Sequence, residues 1–134
     1  MFVDTSGLLC LYDSRDVFHK NAILEFRRAD RLLTHNYVLA EFVALANARN
    51  LPRQDTLRRI MHLMDSPWLE LLWVDETLHR AGLELLARRL DKSYSLCDAI
   101  SFLQMQATGV SKALTTDRHF EQEGFVRLLK PADR

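Results

Sequence analysis

Glycine is scarce in this chain, with four in 134 residues, and none of them belongs to a series. A phosphate-cradling loop or a dinucleotide fingerprint needs glycines at fixed spacing, so a nucleotide site of that kind is excluded. Cysteine is scarcer still: Cys10 and Cys97 sit in apolar surroundings without metal-ligand spacing. They read as small core residues in a reducing compartment, not as a disulfide or a zinc pair. Charge of neither sign is in excess, since 18 Lys and Arg balance 18 Asp and Glu. That removes a global basic field for nucleic acid, although a neutral total permits a local basic rim around an acidic site. No apolar run approaches the ~18 residues of a membrane span, and no charged leader with an apolar stretch opens the sequence. The expectation is a soluble, cytoplasmic protein with no membrane partner.

What is present is apolar and periodic. With 48% hydrophobic residues the chain can bury a real core, and a single domain is expected over residues 1–134. Phe2 and Val3 read as a short buried strand that stops at Asp4-Thr5-Ser6-Gly7, with Leu8 to Tyr12 as the helix opened by that turn. A second helix is predicted over residues 17–29, where Phe18, Ala22 and Phe26 fall four apart on one face. A strand over 31–35 and a helix over 36–49 follow, the helix stopped by Leu51-Pro52. Residues 54–65 place Leu57, Ile60, Met61 and Met64 at helical spacing before Ser66-Pro67. A strand over 69–74 leads to a helix capped by Asp75, and a polar connection at 91–94 leads to an apolar helix over 96–107, closed by Gly109. A strand at 112–115, a short helix at 117–123 and a strand at 125–129 complete the pattern. Strands alternate with helices, which argues an α/β fold with one mostly parallel sheet covered on both faces.

In open α/β sheets, ligands gather outside the carboxyl ends of the strands. Asp4 ends the first strand, and Asp117 repeats that placement after Ala113-Leu114-Thr115-Thr116. Asp98 opens the apolar helix in Ser95-Leu96-Cys97-Asp98, while Glu41 has only apolar helical neighbours in Tyr37, Val38, Phe42 and Leu45. A solvated glutamate would have polar companions on its face. Each acid also has a plainer explanation. Asp4 and Asp117 could be N-caps, Asp98 fits a capping box with Ser95, and Glu41 could lie at the edge of the apolar stripe. Four such acids gathered at one sheet edge point instead to a shared cause. Crowded carboxylates repel, and a bound cation is the usual resolution. Oxygen ligands without His or Cys spacing suit Mg²⁺ or Mn²⁺ rather than zinc, and such an ion can activate water against a phosphodiester.

Four stretches, in order and in spacing, resemble the four motifs of the PIN-domain family. They are Asp4-Thr5-Ser6-Gly7-Leu8, the segment from Tyr37 to Glu41, the segment from Ser95 to Phe102, and Leu114-Thr115-Thr116-Asp117. Within that family the likeness is to the VapC-type toxins of bacterial toxin–antitoxin pairs. The resemblance implies a three-layer α/β/α fold with a five-stranded sheet of order 3-2-1-4-5. It also implies a Mg²⁺- or Mn²⁺-dependent endoribonuclease, a homodimer, and inhibition by a partner antitoxin. Carried over by position, Asp4, Glu41, Asp98 and Asp117 become the catalytic acids, with Asp4, Asp98 and Asp117 as metal ligands and Glu41 at the margin. Ser6 and Thr115 become supporting hydroxyls. Cys97 departs from the pattern, since many relatives carry Thr there.

Rival classes fit less well. A haloacid-dehalogenase-like phosphatase needs a second Asp two residues after the first, and position 6 is Ser. A receiver domain lacks its acidic pair and late lysine. The non-enzyme alternative is a catalytically inactive PIN-like module that binds RNA or a partner. Asp75 and Glu76 follow a strand that falls at the sheet edge in the implied order, and are expected to be caps. The five histidines show no metal spacing and are expected to be surface or core polar groups, with His119 as a secondary candidate for substrate contact. Most arginines read as solvated helix faces; Arg118, beside Asp117, is the first candidate for an RNA phosphate contact.

Overall fold

The computed structural model describes residues 1–132. Five short strands, β1 (Phe2–Val3), β2 (Leu32–His35), β3 (Leu69–Leu72), β4 (Lys112–Leu114) and β5 (Val126–Arg127), form one sheet of order β3-β2-β1-β4-β5. Every pairing is parallel, so all five carboxyl ends reach the same edge. The α/β class and the order 3-2-1-4-5 hold. β1 occupies the centre: Phe2 pairs with Leu33 on one side and Ala113 on the other. Both β1 residues are buried, as a strand covered on two faces requires.

Seven helices fill the connections: α1 (Thr5–Tyr12), α2 (His19–Arg28), α3 (Asn36–Ala48), α4 (Arg53–Met64), α5 (Glu76–Ala87), α6 (Leu96–Thr108) and α7 (His119–Gln122). They pack as α1 with α2 and α3, α3 with α4, and α5 with α6, with α7 against α6. Phe102 of α6 meets Phe120 of α7 edge-on at 5.0 Å, and Phe120 stacks on Phe2 of the central strand at 6.0 Å. That aromatic line joins the outer helix layer to the sheet centre. No helix among the described residues is long and apolar enough to cross a membrane.

Two local features tighten the frame. A Cβ built on Gly7 would lie 2.1 Å from the Leu114 carbonyl oxygen, so α1 rests directly on the backbone of β4. His35, fully buried, caps α3: its Nδ1 accepts from the Val38 N–H at 3.3 Å. Ser101 Oγ donates to the Cys97 carbonyl, which makes His35 Nε2 the donor to Ser101 at 2.9 Å. Burial pushes the His35 pKa down to about 3, so this histidine stays neutral.

The elements match the sequence pattern with trimmed ends. The first helix starts at Thr5, directly on the end of β1, with Asp4 at its N-cap position. The last helix and strand are shorter than expected, because Asp117 Oδ1 accepts from the His119 N–H at 2.9 Å and makes a turn before α7. Asp75 caps α5 through Leu78 N–H at 2.8 Å, as expected. Along α4, Ile60 and Leu63 face the core, while Leu57, Met61 and Met64 face out.

Candidate active site

Asp4 leaves β1 in extended backbone (φ −86°, ψ 167°) at the N-cap position of α1, yet its side chain makes no capping bond. The plain cap explanation fails there. Its Oδ2 accepts instead from the Thr115 hydroxyl at 2.8 Å, with the Ser6 hydroxyl at 3.4 Å. Ser6 Oγ lies 3.1 Å from Thr115 Oγ1 and accepts from the Thr116 N–H at 3.0 Å. Thr115 Oγ1 in turn accepts from the Asp117 N–H at 3.0 Å. The two hydroxyls thus link the end of β1 to the loop after β4 and fix the Asp4 rotamer.

Asp98 realises both of its explanations at once. Ser95 Oγ accepts from the Asp98 N–H and Asp98 Oδ2 accepts from the Ser95 N–H, each at 3.0 Å, completing a capping box. The same Oδ2 lies 3.0 Å from His119 Nδ1, and Asp117 Oδ1 lies 3.3 Å from that nitrogen. One ligand atom each from Asp98, Asp117 and His119 fall within 4.8 Å of one another. Asp4 and Glu41 stand outside that group of three; Asp4 feels the charges of both Asp98 and Glu41.

The electrostatics carry the mark of crowding. Burial raises the Asp4 pKa to about 7, the Thr115 hydrogen bond opposes the rise, and the charges of Asp98 and Glu41 add to it. Asp98 is also raised, chiefly by burial and further by Asp117, against the pull of the Ser95 N–H and His119. Glu41 is half-buried on α3 and faces the Cys97 thiol. Burial pushes that thiol up, and Glu41, Asp4 and Asp98 push it further. Cys97 therefore lies in the middle of the acids as a neutral thiol.

Ser6 and Thr115, named above as supporting hydroxyls, both hydrogen-bond the Asp4 carboxylate. Arg118 is exposed and makes no ion pair among the described residues, whereas Arg31, Arg49, Arg58 and Arg89 are each engaged with carboxylates. His119, expected to be a polar group with substrate contact as a secondary role, lies against the acids themselves. Its own N–H is held by Asp117, its Nε2 lies 3.1 Å from Ser93 Oγ, and its ring packs on Tyr94 at 5.2 Å. The only signal in the sequence was its place two residues after Asp117, which an Asx turn folds back over the carboxylate.

The donor set suits a divalent cation: two carboxylates and an imidazole in one small space, with a third carboxylate beside them that burial drives toward neutrality. Metal ions hold such groups together when their mutual repulsion would not. Residues 1–125 match the PIN domain family. A search of curated proteins finds no match. Among solved structures, the crystal structure of Mycobacterium tuberculosis VapC20, a sarcin–ricin-loop-cleaving toxin, superposes with a TM-score of 0.86. The two are 30% identical, over 97% of this chain and 98% of that one. With its parallel 3-2-1-4-5 sheet, its four motifs in order and this likeness, the chain belongs to the PIN-domain family, in its VapC-type branch.

Proposed function

We propose that the protein is a divalent-cation-dependent endoribonuclease, the toxin of a toxin–antitoxin pair, acting in the cytoplasm as a single-domain homodimer. The observation that carries this is the group of three ligand atoms from Asp98, Asp117 and His119 within 4.8 Å, beside an Asp4 whose pKa burial lifts to about 7. Asp4, Asp98 and Asp117 would hold Mg²⁺ or Mn²⁺, with Glu41 at the margin. A cation bound there supplies Lewis acidity for water and for the scissile phosphodiester.

The chain's own residues set up that chemistry. Thr115 and Ser6 hold the Asp4 carboxylate in one rotamer, so little reorganisation is needed when its charge is used. The capping box does the same for Asp98. Arg118, exposed beside Asp117, would neutralise a substrate phosphate at the rim. Leu57, Met61 and Met64 on α4 offer an apolar face for the second copy, and the antitoxin is the expected partner that silences the site.

The test uses purified protein, a long RNA and a sarcin–ricin-loop hairpin, since the similar VapC20 is a toxin that cleaves that loop. Cleavage is expected with Mg²⁺ or Mn²⁺ and not with chelator. Asp4→Asn and Asp98→Asn should lose it by at least two orders of magnitude while remaining folded, since each removes a group that stabilises developing charge. RNA binding without cleavage under every metal condition would instead favour the inactive-module alternative.

A further inference from the structure

We infer that His119 is itself a ligand of the cation, so the centre is a mixed carboxylate–imidazole site that favours first-row transition ions over Mg²⁺. The inference rests on the metal-dependent reading of the acid cluster and adds a nitrogen donor to it. Three constraints orient the ring. Ser93 Oγ sits 3.1 Å from Nε2, Tyr94 packs against the ring, and the backbone N–H of His119 is tied to Asp117 Oδ1. The remaining nitrogen, Nδ1, is aimed between Asp98 Oδ2 at 3.0 Å and Asp117 Oδ1 at 3.3 Å.

Metal-bound imidazoles characteristically hand their second ring nitrogen to a fixed acceptor, which sets the tautomer and leaves the other lone pair for the ion. Ser93 Oγ is within reach of Nε2 and can accept from it once an ion replaces the proton that Nδ1 shares with Asp98. Mg²⁺ is a hard ion that takes oxygen ligands, whereas imidazole strengthens binding of the later divalent ions. A histidine in this place therefore changes which metal the site selects, and Asp98 and Asp117 alone would not. A simple ion pair, with His119 only offsetting the acids, makes no such prediction.

Pulsed electron paramagnetic resonance of Mn²⁺-loaded protein decides the matter. In wild type we expect modulation from a directly bound ¹⁴N that changes to the ¹⁵N pattern when histidine alone is ¹⁵N-labelled. His119→Gln should abolish the nitrogen signal and lower Mn²⁺ affinity by about tenfold or more, with a smaller change for Mg²⁺. Mn²⁺ bound in an Asp98-dependent manner without a histidine nitrogen signal, or with one that survives His119→Gln, would overturn the inference and leave the acid site standing. Mn²⁺ affinity indifferent to Asp98→Asn would overturn the underlying reading of the site as well.

Discussion

A carboxyl group with a pKa near 7 and a histidine with a pKa near 3 bend the pH dependence of stability in opposite directions. Asp4 is raised to about 7 in the folded state by burial, from an ordinary value of 3.8. Between those values the native chain binds more protons, so stability falls as pH rises and the penalty is complete above about 7. His35 is lowered to about 3 from 6.5, so its contribution is full above 6.5 and is lost as pH falls toward 3. The two slopes oppose each other across their shared window. Removing one should expose the other. Urea unfolding of Asp4→Asn relative to wild type, in chelator, should show a difference that grows in the variant's favour from pH 4 to pH 7.5. Its full size should be on the order of a few kcal/mol. A difference that stays flat with pH would show that Asp4 is ionised and structurally paired. At this scale the placement of Asp4, Asp98 and Asp117 was legible, because each sits at a strand end or helix start where side chains leave the core pattern. His119 was not. Its role arises where the loop after β4 meets the start of α6, and no periodicity encodes a meeting between distant segments.

Among the elements, α1 is the most tightly constrained. Alanine at position 7 would put a methyl 2.1 Å from the Leu114 oxygen and 2.9 Å from its carbon, and backbone cannot step aside as a side chain can. Gly7→Ala should destabilise by about 3 kcal/mol or more and draw Ser6 away from Thr116. At Gly82 the contacts are the tips of Ile100 and Leu96 at 2.8 and 2.9 Å, so Gly82→Ala should cost clearly less. Thermal melts of the two variants compare them directly, and equal losses would refute the argument. The sequence showed where each helix and strand lies, because a 3.6-residue or two-residue pattern persists through packing. It missed ends such as the short last strand, Val126–Arg127, and the reason for Gly7, which is admitted for closeness to β4 and not as a turn.

For the molecule as a whole, alternating strands and helices announced one parallel sheet but not its order, since any doubly wound arrangement has the same alternation. The order 3-2-1-4-5 was legible only through the four motifs. Apolar residues left outside that architecture bear on assembly. Met61 is 65% exposed, with Leu57 and Met64 exposed on the same helix, α4. If that face seats the second copy, Met61→Lys should turn a dimer into a monomer in sedimentation at micromolar concentration without changing the melt of the monomer. Dimers unaffected by Met61→Lys would move the interface elsewhere.

The hydrogen bond between Asp4 and Thr115 spans 111 positions of the chain, and it closes only when β4 docks beside β1. The acids cannot gather in a partly made polypeptide. Synthesis at roughly 5–20 residues per second leaves several seconds in which α1, α3 and β2 exist without the segment that carries Asp117. Long-range parallel pairing of this kind is also slow to form. A ribosome translating this chain therefore carries no assembled acid cluster until the segment bearing Thr115 and Asp117 has been made. A partner able to engage the early helices would have that interval in which to arrive.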